Sequence, residues 1–412
     1  MLALMAACYV DPGNELLPGA RRRGQPTKAS SDTSSRDGHP ITEEDSVEGG
    51  GGEDAPEVRP ERAVAAKLGL PARFAIGLGN DAESVNANDA SAFKLGPKVD
   101  IHYMYLSGLD WPGWSSPEGA YVTNYANAAK SRNIVPMFTL YQAAAKGEGN
   151  LGAFDETAFM TEYWRGVRVL FQRLGELAYP AIVHLEPDFW GYAQQKGGDD
   201  PSTLPMKVAS LVPECAGLPE TVAGVGRCMV RLARTLSPKV IVGLSASTFG
   251  AHDDSGKPDP ARVAGYLVKV GAAEADIVVV ETLDRDAGCF EKGSDPRCQR
   301  GGSFYWDESN VKRPSFHEHL AWTKVIRHAV GKPLLWWQMP LGVPGTTPGG
   351  TAGHYRDNRV RYLFDHPGEF VDAGGFGAVF GSGAPNQTTV KTDGNQFKNA
   401  LTKYLAAPVA LP

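Results

Sequence analysis

Eight short apolar runs, each separated from the next by a stretch of helical character, restrict the fold of this sequence more than any other feature. The runs are Arg73–Leu78, Val99–Leu106, Ile134–Tyr141, Ala181–Glu186, Lys239–Leu244, Asp276–Glu281, Pro333–Gln338 and Gly377–Gly381. Between them lie helical patterns at Tyr121–Arg132, Glu156–Leu177, Pro219–Leu236, Pro260–Gly271, Phe316–Val330 and Tyr355–Phe370, and Gln396–Leu405 closes the chain. Strands that alternate with helices pair in parallel, because each helix returns the chain to the same edge. Eight such units over one 66–412 domain predict an α/β chain folded as a (β/α)8 barrel. A seven-stranded barrel or an open doubly wound sheet is the alternative. No GxGxxG or GxxxxGK[ST] follows an early strand, which argues against a nucleotide-binding version.

Composition sets the limits. With 42% hydrophobic and 21% charged residues, the 412-residue chain has an ordinary soluble balance and length enough for one large core. A net charge of -6 leaves no basic footprint, so nucleic acid is excluded as a partner. Residues 9–65 change character. Arg21-Arg22-Arg23, a Ser/Thr/Asp-rich tract and Gly49 to Gly52 contain almost no bulky apolar side chains. Such a segment cannot bury enough surface to offset its ordering entropy, and it is expected to be a disordered linker.

Residues 1–8, Met1-Leu2-Ala3-Leu4-Met5-Ala6-Ala7-Cys8, resemble the tail of a bacterial lipoprotein signal, without the charged start and longer apolar core of a full one. The resemblance implies lipidation at Cys8 and a lipid anchor at a membrane surface. Cys215, Cys228, Cys289 and Cys298 remain, an even number that allows three pairings. The local pairing, Cys215 with Cys228 and Cys289 with Cys298, closes two short loops. A zinc site would need a CxxC spacing or a nearby His pair, and neither is present. Disulfides point to an extracytoplasmic protein, secreted or held at the periplasmic or outer surface.

In a (β/α)8 barrel, function sits at the carboxyl ends of the strands. The fourth strand ends in Ile182-Val183-His184-Leu185-Glu186-Pro187-Asp188-Phe189-Trp190, where a β-branched apolar run leads straight into two carboxylates, a proline and two aromatics. Strand alternation puts His184, Glu186 and Asp188 on one face. The sixth strand ends in Glu281 after three valines, with Asp284 beyond it. Other strand ends contribute Asp81, Trp111, Trp114, Tyr141, Gln142, Trp337 and Gln338. Acids supply proton transfer or an ionised nucleophile, and indole faces stack on sugar rings.

That mixture resembles a glycoside hydrolase. The resemblance implies a polysaccharide or oligosaccharide substrate, a catalytic set of Glu186, Asp188 and Glu281, and substrate contacts from Asp81, Trp111, Trp114, Tyr141, Gln142, His184, Trp190, Asp284, Trp337 and Gln338. Asp188 or Glu186 would donate the proton, and Glu281 would act as base or nucleophile. Many barrel glycosidases carry glutamates after strands four and seven; here the seventh strand ends in Gln338. Glu186-Pro187-Asp188 and the segment Leu140–Glu148 resemble family 6 cellulases, which would make Asp188 the acid.

Other readings stay open. Asp284-Arg285-Asp286-Ala287-Gly288 has the flavour of a calcium loop but lacks its third acidic position and spaced Glu. No metal and no cofactor are expected, and the protein is expected to be a monomer. His102 and His184 read as core histidines, His317 and His319 as solvated. A catalytically inactive carbohydrate-binding barrel is one alternative function. A deacetylase or esterase using Ser245 or Ser247 is another, although Gly243-Leu244-Ser245-Ala246-Ser247 makes no GxSxG elbow.

Overall fold

Parallel strands buried on both faces need continuous β-branched and aliphatic runs, and this chain supplies them. The computed structural model describes residues 59–82, 86–293, 295–299, 304–347 and 350–412. Cys8 and the expected linker up to residue 58 lie outside the described residues. The strands are β1 (Ala75–Gly79), β2 (Ile101–Ser107), β3 (Val135–Tyr141), β4 (Ala181–Leu185), β5 (Val240–Ala246), β6 (Ile277–Glu281), β7 (Leu334–Met339) and β8 (Gly375–Phe380). They pair in parallel in sequence order, and β8 returns to β1 with Ala75 opposite Gly377, so the sheet closes into an eight-stranded barrel. The chain folds as the expected (β/α)8 barrel; the seven-stranded and open-sheet alternatives do not hold.

The helices are α1 (Pro60–Lys67), α2 (Ala120–Lys130), α3 (Thr157–Leu177), α4 (Phe189–Gly197), α5 (Val222–Leu236), α6 (Pro260–Lys269), α7 (Ala287–Lys292), α8 (Phe316–Val330), α9 (Arg359–Asp365), α10 (Pro367–Asp372) and α11 (Gln396–Ala406). Each long one buries a single stripe. In α3, Phe159, Tyr163, Val167, Leu170 and Leu174 recur at three- and four-residue spacing and pack into the core. The helix expected over Tyr355–Phe370 is instead two short ones, because Pro367 lacks the N–H and fixed backbone that a continuous helix needs there.

The barrel interior is filled, and its filling is asymmetric. The ring of Tyr103 lies across the mouth against β1 and β8, where Gly79 and Gly381 leave it room; a Cβ at either glycine would overlap the tyrosine. In β7, Trp336 and Trp337 divide as strand alternation requires. Trp336 packs outward against Phe370 and donates its indole N–H to His319 Nε2 at 2.9 Å. Trp337 packs inward beside Tyr103, Tyr105 and His184. His319 is thus buried rather than solvated, and burial lowers its pKa to about 3.

Two disulfides, Cys215–Cys228 and Cys289–Cys298, follow the expected local pairing. They close loops with sequence separations of 13 and 9 residues, each of which removes unfolded-state freedom amounting to about 3 kcal/mol.

Helix α1 covers the last six residues of the segment expected as linker. Glu61 is buried and paired with Arg327 at 2.7 Å, and the Arg62 guanidinium donates to the Leu411 carbonyl at 2.6 Å. The folded unit therefore begins before residue 66. Deletion of residues 1–58 is expected to leave one cooperative thermal transition. Deletion through Lys67 is expected to cost about 2 kcal/mol, because Arg327 loses its buried partner. Denaturation midpoints of the two truncations check this, and equal midpoints would remove α1 from the folding unit.

Candidate active site

The end of β4 decides which acids face the barrel mouth. The strand stops at Leu185, and Glu186 and Asp188 both take positive φ, +50° and +64°. Non-glycine residues adopt such angles at a cost of about 1–3 kcal/mol, and they cluster where function needs a side chain re-aimed. His184, the last inward residue of the regular strand, bonds through Nε2 to Ser245 Oγ and lies 4.6 Å from Trp337 between ring centroids. Burial holds its pKa down at about 3, so it is neutral.

Glu186 does not share the face of Asp188. Its two oxygens accept the backbone N–H groups of Gln142 at 3.2 Å and Ala143 at 2.9 Å, and Tyr163 of α3 lies against it. It is fully buried, and desolvation raises its pKa to about 8 despite those bonds. Glu186 thus lies apart from the other two acids of the expected catalytic set, Asp188 and Glu281. Glu186 anchors the start of the loop after β3.

Asp188 faces a different set of groups. Tyr141 is hydrogen-bonded to it, and the charges of Glu148, Glu281, Asp284 and Arg285 act on it or on its partner. The Tyr141 hydroxyl also donates to Glu148, and Arg285 Nη1 pairs with Asp284 at 2.6 Å. Glu281 ends β6, and its Oε1 is buried without a hydrogen-bond donor among the described residues. Burial first, then the negative charges nearby, push both Asp188 and Glu281 well above the usual carboxylate range. Four carboxyl groups thus converge at the ends of β3, β4 and β6. Beneath them lie Tyr103, Tyr105, Tyr141 and Trp337 in edge-to-face contacts, and Gln338 Nε2 donates to the Tyr105 hydroxyl.

Of the residues expected to touch substrate, the structure gathers Tyr141, Asp284, Trp337 and Gln338 around Asp188 and Glu281, with His184 against Trp337. The others lie elsewhere, each for a local reason. Trp111 and Gln142 are fully buried and bonded to each other at 2.7 Å, and Gln142 also donates to the Tyr163 carbonyl. Trp190 is on the buried face of α4 and donates to the Leu185 carbonyl. Trp114 rests edge-on against Tyr121. Asp81 gives one oxygen to His102 at 2.8 Å and the other to the Ala92 N–H. Asp286, in the segment that only faintly resembles a calcium loop, accepts N–H bonds from Gly342 and Thr388 and ties together the segments after β6, β7 and β8. Among the described residues, no group of three or more His, Cys, Asp or Glu side chains is placed to hold a metal ion.

Glu148, Arg285, Tyr103 and Tyr105 were not singled out from the sequence. The two tyrosines alternate with His102 and Met104 along β2, a period-two signal that marks them as inward. Glu148 and Arg285 lie in irregular segments, where no periodicity reports direction.

No protein-family model matches this chain, and no curated protein does. Solved structures do. The catalytic domain of a GH26 endo-β-1,4-mannanase from Bacillus sp. JAMB-750 is 10% identical, with a TM-score of 0.48, over 85% of this chain and 90% of that one. A β-mannanase from a symbiotic protist of the termite Reticulitermes speratus is 9% identical, with a TM-score of 0.44, over 84% and 90%. A D-allulose 3-epimerase from Methylomonas sp. is 13% identical, with a TM-score of 0.43, over 82% and 98%. These are likenesses of fold. The resemblance to family 6 cellulases gains nothing from them.

The position of Glu186 has a measurable consequence. Its folded pKa, about 8, lies above the model-peptide value of 4.5, so between these pH values the folded state binds more protons than the unfolded state. Stability contributed by this group is present below pH 4.5 and is lost as pH rises toward 8. Glu186→Gln is expected to flatten the fall in melting temperature between pH 5 and pH 8 and to preserve the fold. An unchanged slope would mean that Glu186 is ionised or solvated.

Proposed function

We propose that the protein is an extracytoplasmic glycoside hydrolase that cleaves a polysaccharide with Asp188 and Glu281 as its carboxyl pair. The observation that carries the reading is the unequal surroundings of these two acids within one aromatic-floored chamber. Two neighbouring carboxyls whose environments differ divide into one that keeps a proton and one that ionises.

The surroundings assign the roles. Glu281 Oε1 has no donor, and every influence on the residue favours its neutral form. A carboxyl oxygen buried without a donor is costly to ionise, so half-buried Glu281, with Oε1 in that position, keeps the proton and donates it to the departing sugar oxygen. Asp188 has the positive charge of Arg285 nearby to favour its ionised form, with the Tyr141 hydroxyl, which donates to Glu148, also within reach. It supplies the negative charge that the developing oxocarbenium ion needs. The proton-donor role expected for Asp188 therefore passes to Glu281. Trp337 and the tyrosines below exclude water from the acids and strengthen their mutual interaction.

The serine-hydrolase alternative is not favoured. Ser245 and His184 are bonded, but both are fully buried, and His184 Nδ1 has no partner to orient it among the described residues. A nucleophile–base pair needs that third group. The two disulfides favour an oxidising compartment.

Release of reducing ends from a panel of polysaccharides is the test. Asp188→Asn and Glu281→Gln are each expected to lower kcat by about 10²–10⁴-fold while keeping the fold and sugar binding. Activity should follow a bell, falling at low pH as Asp188 gains a proton and at high pH as Glu281 loses its own. With both groups raised, the optimum should lie at neutral pH or above rather than at pH 4–5. Full activity in both variants would put the site elsewhere, and binding without cleavage by the unaltered protein would favour the inactive-barrel alternative.

A further inference from the structure

The segments after β3 and β4 leave a small hollow beside Asp188. It has room for about one water molecule, far too little for a sugar ring. Tyr141, Glu148 and Asp188 bring polar groups to it, and Ala143, Leu151 and Phe189 supply apolar walls. A space of this size can still take one small polar substituent of a larger substrate.

We propose that the hollow receives a protonated primary amine, which makes the substrate a polysaccharide of hexosamine units with free amino groups. The inference rests on the glycoside hydrolase reading and narrows its substrate. Two carboxyls, those of Glu148 and Asp188, border the same small space. After burial, the charge of Glu148 is the largest influence that holds Asp188 above the usual carboxylate range. An ammonium group between two such acids turns their repulsion into attraction, whereas water or a hydroxyl group of the same size leaves it in place. The apolar walls keep that attraction from being screened. Arg285, whose positive charge also acts on Asp188, is paired with Asp284 at 2.6 Å and takes no part in the lining.

The hydrogen-bonding inventory matches as well as the charge. A primary ammonium has N–H donors only, and the groups that meet here can accept. Glu148 and Asp188 do so through their carboxylates. Tyr141 does so through its hydroxyl oxygen, because its own hydrogen already goes to Glu148. Position on the sugar follows from Asp188. Its charge serves the reaction only from beside the carbon whose bond is cut, so a substituent that enters the adjoining hollow is borne close to that carbon. The amino group of a 2-amino-2-deoxyhexose is on the neighbouring ring atom. An N-acetylated unit is excluded twice: its nitrogen is uncharged, and its acetyl group is too large for a water-sized space. Uronic acids and sulfated sugars are disfavoured by repulsion from the same two acids.

The test is titration calorimetry on the full chain carrying Glu281→Gln, so that ligand is not consumed, with β-1,4-linked tetramers of glucosamine, N-acetylglucosamine and glucose. The glucosamine tetramer should bind about tenfold more tightly than either of the others. Adding Glu148→Gln, which keeps the shape and removes a charge, should bring the three to within about twofold. Raising the salt from ~50 to ~500 mM should shrink the preference while Glu148 is intact, and this series carries the same expectation if the Glu148 variant does not fold. A glucosamine tetramer that binds no better than the other two, or not at all, would overturn the amine pocket. So would a preference that survives Glu148→Gln. Release of reducing ends from neutral glucan as fast as from poly-glucosamine would overturn it too and leave the hydrolase reading standing. Full activity of Asp188→Asn and Glu281→Gln would instead sink the catalytic pair, whatever the binding ratios.

Discussion

Strand β4 cannot stay extended beyond Leu185, because the next residue takes a positive φ, and the arrangement of the barrel mouth follows from that turn. Strict alternation would send His184, Glu186 and Asp188 into one chamber. The turn sends Glu186 behind the sheet to hold the backbone of Gln142 and Ala143, and it leaves Asp188 facing Tyr141 and the acids beyond β3 and β6. By fixing the first residues after β3, Glu186 also helps to position the loop that carries Glu148. One strained turn thus separates an anchoring acid, Glu186, from one that faces the mouth, Asp188, and strain of this kind clusters at functional sites.

Desolvation acts on all of these acids, yet its result differs with hydrogen bonding. Asp286 is buried and raised to about 8, but its oxygens accept two N–H groups and it cross-ties three loops. Glu186 is in the same position with its own two donors. Glu281 is raised, and its Oε1 has no hydrogen-bond donor among the described residues. A carboxyl oxygen buried without a donor is costly to ionise, and strongly perturbed acids of this kind recur at functional sites. This contrast, rather than the bare presence of acids, distinguishes Glu281 from its neighbours.

The fold was legible because its signal is repetitive. Each strand run carries its β-branched or aromatic residues, and each long helix its apolar stripe, so β6 and α8 were found to within a residue. The site was legible only in part. Asp188 and Glu281 follow from their places at strand ends, and Trp337 from parity along β7. Parity failed at Glu186 because the backbone had already left the strand, and residue type alone cannot announce a positive φ. Trp111, Gln142 and Trp190 failed for another reason. A tryptophan or glutamine beyond a strand can point into the mouth or back into the shell of helices, and the choice depends on partners distant in sequence. For Gln142 that partner is the Tyr163 carbonyl, 21 residues away.

Gln338 at the end of β7 follows from the same electrostatics. It takes a positive φ and gives its amide N–H to the Tyr105 hydroxyl, which lies within reach of the charges of both Asp188 and Glu281. An ionised glutamate at this position could only accept, and it would add one more negative charge to a chamber that already holds four carboxyl groups around a single guanidinium. An amide fills the same space, donates, and carries no charge. With β7 neutral, the division of one proton between β4 and β6 is left to the difference between Tyr141 and Arg285 on one side and an empty hydrogen-bond position on the other. The glutamine therefore leaves Asp188 and Glu281 as the acids of the mouth that the proposed reaction would use.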